Sequence, residues 1–254
     1  MTARRVLILI PHPDDEVVGC AIAARRARAE GATLWGLYLT TGIPSRDQLW
    51  PWQRRGYERR VERRRREAII AAKTIGISPV RFQDWPSRTL KAHLDEAAAL
   101  IDAAVRGRSI DEIWTPAWEG AHQDHDAANC LASGLRARVV EYAEYNFAGG
   151  QVRSQVFAVA NGSEQILDLT PAESQFKREL LALYRSERSN LGHIRVEHES
   201  LRPLARYDYG AAPHSGPLFW QRFQWVPFRH PRVDFDRPET VRETLVDWAR
   251  GSNN

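Results

Sequence analysis

Short aliphatic runs alternate with longer helical patterns through the first 160 or so residues of the chain. Residues 6–10 read Val-Leu-Ile-Leu-Ile, an unbroken apolar run that suits a strand covered on both faces. A helical pattern follows over about residues 15–29, and a second strand is predicted over residues 33–39. Such alternation is typical of βαβ units around a parallel sheet. We therefore predict an α/β fold with a mostly parallel β-sheet flanked by helices.

The same alternation continues to about residue 142 and then weakens. Further strands are predicted at residues 80–82, 110–115 and 138–142, with helices at 53–75, 89–105 and 124–135. The C-terminal part predicts a strand pair at 155–160 and 165–169, and helices at 171–184 and 239–250. Residues 201–235 are rich in Pro, Trp and Phe without a clear period. We expect one domain over residues 1–254, with a βαβ core to about 160 and an irregular, aromatic-rich cover over 161–254.

The composition limits the classes of protein that fit. With 43% hydrophobic and 27% charged residues in 254, the chain can bury a sizeable core and is not dominated by disorder. Its longest aliphatic run is far shorter than the roughly 18 residues of a membrane span. Two cysteines, Cys20 and Cys130, cannot make a disulfide framework, so we expect both to be structural. These features favour a cytoplasmic protein with no membrane span.

The first candidate motif, His12-Pro13-Asp14-Asp15-Glu16, directly follows the first predicted strand. It places one imidazole and three carboxylates within five residues. The carboxylates repel one another, and their burial is costly, unless a cation or protons offset the charge. A turn with one N-capping Asp is the alternative, but it needs only one of these groups. In an open α/β sheet, ligands bind beyond the carboxyl ends of the strands, where this motif lies.

The second motif, His122-Gln123-Asp124-His125-Asp126, follows another predicted strand and precedes a helix. Two clusters at equivalent positions would meet at one edge of the sheet. Imidazole and carboxylate together suit Zn²⁺, or another divalent first-row metal such as Fe²⁺ or Co²⁺. The cysteines are too few for a structural zinc site, so we predict an open, catalytic metal centre.

Together the two motifs resemble the paired signature of the LmbE/PIG-L family of zinc-dependent N-deacetylases. The resemblance implies a Rossmann-like sheet and catalysis by a metal-activated water. By this resemblance, the metal ligands would be His12, Asp15 and His125. The catalytic groups would be Asp14, His122 and Asp124. Asp14 would be the general base, and Asp124 would hold an imidazole in its working tautomer. His122 would face the scissile carbonyl, either stabilising the oxyanion or protonating the leaving amine.

Substrate contacts are predicted at three positions. Residues 54–66 contain eight arginines, a pattern typical of a solvated helix face, but Arg64 lies on the stripe expected to pack inward. In the family an Arg three residues before a Glu contacts the sugar, a spacing that Arg64 and Glu67 match. The family's acidic sugar contact after the third strand is either missing here or moved to Asp84. His214, in the aromatic segment, could reach the metal only if that segment forms a lid.

The leading hypothesis is a zinc-dependent hydrolase that removes an N-acetyl group from an amino sugar or a sugar conjugate, such as a GlcNAc-containing glycoconjugate. An alternative is an amidase that cleaves a larger acyl or cysteinyl amide at the same metal. A different class, a basic nucleic-acid-binding protein, would use the arginine-rich helix. The net charge of only +4 and the interleaved glutamates disfavour it, so we expect a small-molecule partner and no nucleic acid. A homo-oligomer is compatible with the sequence.

Overall fold

The computed structural model describes residues 4–251 and shows a seven-stranded sheet between two layers of helices. The strands are β1 (Arg5–Ile10), β2 (Thr33–Tyr38), β3 (Ser78–Phe82), β4 (Glu112–Pro116), β5 (Arg138–Tyr142), β6 (Tyr145–Asn146), β7 (Arg153–Ser154), β8 (Gln165–Asp168) and β9 (His198–Pro203). The helices are α1 (Asp15–Ala29), α2 (Pro51–Arg54), α3 (Tyr57–Ile75), α4 (Leu94–Arg108), α5 (Gln123–Ser133), α6 (Pro171–Leu183) and α7 (Pro238–Gly251).

The sheet has the strand order β3-β2-β1-β4-β5-β9-β8. The first five strands in this order are parallel, whereas β9 pairs antiparallel with both β5 and β8. Strands β6 and β7 form a separate antiparallel pair. The α/β fold with a mostly parallel, helix-flanked sheet is therefore confirmed, and the C-terminal part of the chain adds two strands to it.

The apolar run of β1 separates the two layers of the core. Because side chains alternate along a strand, Val6, Ile8 and Ile10 face a cluster that includes α1 and α3. Leu7 and Leu9 face the opposite cluster, which includes α4, α5 and α7. All five residues of the run have no exposed surface. A continuous apolar run is thus what a central parallel strand with helices on both faces requires.

The connections reverse direction at β1, which lies between β2 and β4. Chain order runs outward from β1 to β2 and β3, then returns to β4 on the other side of β1. This reversal is the topological switch point, where the carboxyl ends of the two neighbouring strands leave a crevice for ligands. The first motif leaves β1 and the second follows β4, so both lie at this crevice.

Three predicted elements differ from the structure. Residues 155–160 form no strand, because the backbone of Gln155 has φ of 62° and its N–H and C=O bond to Glu144 and Ser200. The strand that pairs with β8 is instead β9, at the start of the stretch predicted to be irregular. The helix predicted over 53–75 is two helices, α2 and α3, separated at residues 55–56.

Helix α1 is kinked where it crosses the C-terminal strands. Cys20 leaves the helical conformation at φ −147°, which frees the next backbone N–H groups from the helix ladder. The carboxylate of Glu199 accepts the N–H groups of Ile22 and Ala23 at distances of 2.8–3.1 Å. Lys177 donates to Glu199 at 2.7 Å and to the Val18 carbonyl at 2.9 Å. Both charged side chains are fully buried, so this ion pair stabilises the kink. None of the helices within residues 4–251 has the length and hydropathy needed to cross a bilayer.

Candidate active site

Three predicted metal ligands converge at the crevice between β1 and β4. The Nδ1 atom of His12, a carboxylate oxygen of Asp15 and Nε2 of His125 lie 3.0, 3.2 and 3.3 Å apart in pairs. For Zn²⁺ held at about 2.1 Å, a tetrahedral arrangement puts neighbouring donor atoms about 3.4 Å apart. All three side chains are buried. Two imidazole nitrogens and one carboxylate oxygen at this spacing fit a divalent metal of the zinc type.

The electrostatics of the three residues favour a cation between them. Burial alone would lower the pKa of His12, but the charge of Asp15 and a hydrogen bond to Asp124 raise it to about 9. Burial would raise the pKa of Asp15, yet His125 and His12 hold it well below its usual range. Positive charge is therefore stabilised at this point, as a metal site requires.

The other nitrogen of His12 is held by Asp124. Its Nε2–H donates to the Asp124 carboxylate at 2.9 Å, so Nδ1 faces the other two ligand atoms. That carboxylate also accepts the backbone N–H groups of Arg88 at 2.6 Å and Leu90 at 3.1 Å. These bonds fix the carboxylate, which in turn fixes the tautomer and orientation of the His12 ring. The structure thus places Asp124 behind His12, one of the three predicted metal ligands.

His125 has a buried carboxylate behind it as well. An oxygen of Glu144 lies 3.1 Å from Nδ1 of His125, and neither side chain has any exposed surface. Burial and the charge of Asp15 raise the pKa of Glu144 to about 7, although His125 opposes this. Glu144 follows β5 and occurs in no recognisable motif. Only its position beyond the carboxyl end of a neighbouring strand could have indicated it.

Asp14 adopts a backbone conformation that L-residues seldom adopt, with φ of 131° and ψ of −23°. Its N–H donates to the Glu16 carboxylate at 3.2 Å, and its carbonyl accepts the N–H groups of Val17 and Val18. Tyr184 in turn donates to Glu16, whose pKa burial raises to about 8. Strain of this kind persists where the surroundings fix it, often at functional sites.

Arg64 binds Asp14 directly. Its guanidinium donates to the Asp14 carboxylate at 2.9 Å and to the carbonyls of Pro13 and Gly42 at 3.0 Å each. It also pairs with Glu187 at 2.5 Å. Gly42 allows this close approach because it has no side chain. A Cβ at this position, where φ is +68°, would lie only 2.8 Å from the guanidinium carbon. Burial raises the pKa of Asp14 well above its usual range, although Arg64 opposes this.

His122 begins helix α5 as its N-cap. Its Nδ1 accepts the backbone N–H of Asp124 at 3.1 Å, so that nitrogen carries no proton. The proton of the neutral ring is then on Nε2, which lies 3.4 Å from the hydroxyl of Ser87. Burial and the neighbouring cations His12 and His125 lower the pKa of His122 well below its usual range. The ring is therefore a neutral hydrogen-bond donor.

The three predicted substrate contacts lie in different places. Arg64 lines the cavity, but all three of its nitrogens donate to protein atoms and it also pairs with Glu187, so its position is that of a residue holding Asp14. Asp84 is absent from the cavity lining; its carboxylate is 83% exposed and pairs with Arg65. His214 is buried outside the lining, with Nδ1 against the Ser215 carbonyl at 2.9 Å. In the loop after β3, which also carries Asp84, the residue that enters the site is Ser87.

A cavity of about 770 Å³ opens in front of the three ligands. The hydroxyl of Ser87 lies at its base, 3.2 Å from Nε2 of His12. Residues 185–193 and 219–234 form much of its outer wall, including Phe219 and Trp220. Those two rings are buried, whereas Trp225 and Phe228 are 77% and 58% exposed and lie outside the cavity. Only part of the aromatic segment therefore covers the site, and sequence periodicity gave no signal to separate the two groups.

The fold and the site together define a class: α/β proteins with an imidazole–carboxylate centre at the switch point of a parallel sheet. A model of the PIG-L family, described as GlcNAc-PI de-N-acetylase, matches residues 7–134, half of the chain. The chain belongs to this family and is an N-deacetylase-type hydrolase by class. The family suggested by the two motifs is thereby confirmed. No curated protein sequence matches the chain.

Several solved structures share the fold at low sequence identity. The A40926 pseudoaglycone deacetylase Dbv21 is 18% identical, with a TM-score of 0.61 over 82% of this chain and 99% of its own. The N,N′-diacetylchitobiose deacetylase of Pyrococcus horikoshii is 17% identical, with a TM-score of 0.57 over 79% and 84%. The 4-carboxy-2-hydroxymuconate hydratase GalB of Pseudomonas putida KT2440 is 15% identical, with a TM-score of 0.53 over 81% and 98%. One fold thus serves proteins named for different reactions, and the site must identify the chemistry.

Proposed function

We propose that this protein is a metal-dependent hydrolase that removes the acetyl group from an N-acetylated amino sugar or sugar conjugate. The observation that carries the proposal is the convergence of His12, Asp15 and His125 beside Asp14 at one end of the cavity. An A40926 pseudoaglycone deacetylase and an N,N′-diacetylchitobiose deacetylase share the fold, and the chain belongs to a de-N-acetylase family.

His12, Asp15 and His125 would hold the metal. When bound, a zinc-type ion acidifies its water and polarises a carbonyl oxygen. Asp124 and Glu144 lie against the outer nitrogens of the two imidazoles and orient them. This arrangement leaves the open side of the site toward the cavity, where the substrate amide must enter.

Asp14 is the proton carrier in this proposal. Its carboxylate lies next to the ligand Asp15 and is held by Arg64, with one oxygen facing that guanidinium. From this position it accepts a proton from the attacking water and delivers it to the amide nitrogen as the C–N bond breaks. The products are acetate and a free primary amine. Burial disfavours the charged form of Asp14, which helps it to keep the proton between the two steps.

His122 donates a hydrogen bond to the developing oxyanion. Its Nδ1 accepts the backbone N–H of Asp124, which leaves Nε2–H available on the cavity side beside Ser87. A neutral imidazole at a helix N-terminus can polarise a carbonyl without giving up its proton. This geometry favours oxyanion stabilisation by His122 over proton donation to the amine.

The aromatic walls suit the apolar faces of a sugar ring. Phe219, Trp220 and Phe223 all line the cavity, and Tyr145 lies between Phe219 and His125. Aromatic rings in a pocket orient a ligand through its faces, while the polar groups around them bind its hydroxyls. The alternative, an amidase for a larger acyl group, would use the same metal and differ only in the contents of this cavity.

Primary-amine release tests the proposal. Zn²⁺-loaded and chelator-treated protein would be compared on N-acetylglucosamine, diacetylchitobiose and larger N-acetyl glycoconjugates, with Asp14→Asn as the blank. We expect metal-dependent amine release that falls by at least a hundredfold in Asp14→Asn, while metal content stays near one equivalent. Near-wild-type turnover in Asp14→Asn would contradict the assignment of the base. Amine release from a long-chain acyl or cysteinyl amide, but from no acetyl substrate, would support the amidase instead.

A further inference from the structure

The cavity carries more positive than negative side chains. Eight arginines line it, against four carboxylates. Three of the eight, Arg63, Arg64 and Arg88, have a carboxylate within 4 Å. Within residues 4–251, no ion pair engages the other five, which are Arg59, Arg60, Arg185, Arg222 and Arg232. An excess of unpaired cations in one concave site attracts and orients an anion.

These five arginines come from three separate parts of the chain. Arg59 and Arg60 lie on α3, Arg185 follows α6, and the other two lie in the C-terminal aromatic segment. A solvated helix face explains an arginine-rich stretch on one helix. It does not explain why two other segments bring unpaired arginines to the same cavity. The convergence is therefore a property of the site.

Two aromatic rings connect Arg222 to the metal end of the cavity. Its guanidinium carbon is 3.5 Å from the centre of the Phe219 ring, which contacts the Tyr145 ring at a tilt, with ring centres 4.6 Å apart. Tyr145 in turn contacts His125, with ring centres 5.8 Å apart. Arg222 donates to the Phe219 carbonyl at 2.7 Å, so the side chain is fixed. Burial disfavours the charged form of Arg222, and the positive charge of the nearby Arg232 repels it. Both effects lower the pKa of Arg222.

The side chain of Arg232 is held by residue 189, which also lines the cavity. It donates to the Ser189 hydroxyl at 2.9 Å. Two residues before Ser189, Glu187 pairs with Arg64, which holds Asp14. Arg232 is thus connected to the segment that positions the proposed base. A ligand reaching both would span from the reacting amide to the mouth of the cavity.

We propose that the substrate carries an anionic group, a phosphate or a carboxylate, which binds the arginines of this outer wall while its acetamide reaches the metal. Guanidinium groups bind both kinds of anion through paired N–H donors. The inference rests on the proposed function for the identity of the reacting amide. The arginine site itself depends only on the cavity.

Matched neutral and anionic N-acetyl sugars test the inference. Deacetylation would be compared for N-acetylglucosamine, N-acetylglucosamine 6-phosphate and N-acetylmuramic acid, which distinguish phosphate from carboxylate. We expect kcat/KM for at least one anionic sugar to exceed that of the neutral sugar by tenfold or more, and this ratio to fall with added salt. In Arg222→Gln/Arg232→Gln the ratio should fall at least tenfold. Arg66→Gln, an exposed residue of α3 outside the cavity lining, is the control and should leave the ratio unchanged.

A binding measurement separates this inference from the proposed function. Calorimetric titration of the same anionic sugars into Asp14→Asn protein reads binding without turnover. Binding that weakens tenfold in the double arginine variant would support the anion site even if no sugar were deacetylated. Equal kcat/KM for neutral and anionic sugars, with no arginine-dependent binding, would overturn it while deacetylation stands. Salt-dependent binding of an oligonucleotide that these sugars fail to displace would also overturn it and would favour a nucleic-acid partner.

Discussion

Asp124 accepts the Nε2–H of His12 at 2.9 Å and thereby turns Nδ1 of that ring toward Asp15 and His125. The carboxylate is itself held by two backbone N–H groups from the loop after β3. A proposed metal ligand that follows β1 is therefore oriented by an acid from the second motif and by the loop after β3. Neither motif alone contains a complete site.

The first prediction concerns this contact. Asp124→Asn keeps the shape of the side chain but removes the charge that holds the His12 tautomer. We expect metal affinity to fall by roughly 10- to 100-fold, the usual effect of losing such a partner. Competition with a chelator of known affinity would measure it. Asp126→Asn, also a buried acid of α5, is the control, because its carboxylate accepts the Gly120 N–H and contacts no proposed ligand through a hydrogen bond. Unchanged affinity in Asp124→Asn would contradict the role.

The second prediction separates two roles for Arg64. If Arg64 positions Asp14, Arg64→Met should lower kcat about 100-fold with little change in KM, because small misplacements of a catalytic group have effects of this size. Metal content should not change. A raised KM with unaltered kcat would instead support a direct substrate contact, as the family spacing predicts. Arg66→Met, on the same helix and 72% exposed, is the matched control.

The third prediction concerns the buried pair of Lys177 and Glu199. Lys177→Met leaves the Glu199 carboxylate without its charged partner, so we expect a loss of about 3–5 kcal/mol in the free energy of unfolding. Denaturant unfolding would measure this loss. Glu173→Gln breaks the partly exposed pair with Arg26 and should cost no more than about 1 kcal/mol. A loss that small in Lys177→Met would show that the kink does not depend on the pair.

The fourth prediction is a pH dependence from His193. Burial and Arg222 lower the pKa of this cavity residue to about 4, against about 6.5 in the unfolded chain. Between these values the unfolded state binds more protons, so His193 reduces stability as the pH falls from 6.5 to 4. Replacing His193 removes this pH-dependent loss of stability. We expect the melting temperature of His193→Asn to fall less steeply over that window than that of the parent protein. Parallel curves for His193→Asn and the parent protein would contradict the prediction.

The sequence predicted the elements whose hydrophobic pattern is strong. The predicted bounds of α1 and β5 match the structure, because apolar residues mark both elements clearly. The pairing of β9 with β5 could not be predicted, because an antiparallel edge strand of six residues leaves no long-range signal in a single sequence. Gln155 shows the reverse case. Residues 156–160 form an apolar run like that of a strand, but the backbone groups of Gln155 bond to Glu144 and Ser200 instead of to a neighbouring strand.

The proposed ligands could be predicted because imidazole and carboxylate recur at two strand ends. Glu144 and Ser87 could not, since each is a single residue in an unremarkable stretch that reaches the site only through the sheet order. Asp84 illustrates the limit of carrying a position over from a family. It follows β3 as expected, yet its side chain turns outward to Arg65 while Ser87 turns inward.

The kink in α1 has a consequence for where the chain can be divided. The helix that begins at Asp15 depends on an acid from β9 and a lysine from α6, both beyond residue 160. A fragment ending near residue 160 would keep both motifs but would lose the acceptor for two backbone N–H groups of α1. It would also leave β5 as an open sheet edge, free to pair with another molecule. The C-terminal part of the chain therefore holds the helix that follows the first motif in place, and a fragment with the two motifs alone would lack this support.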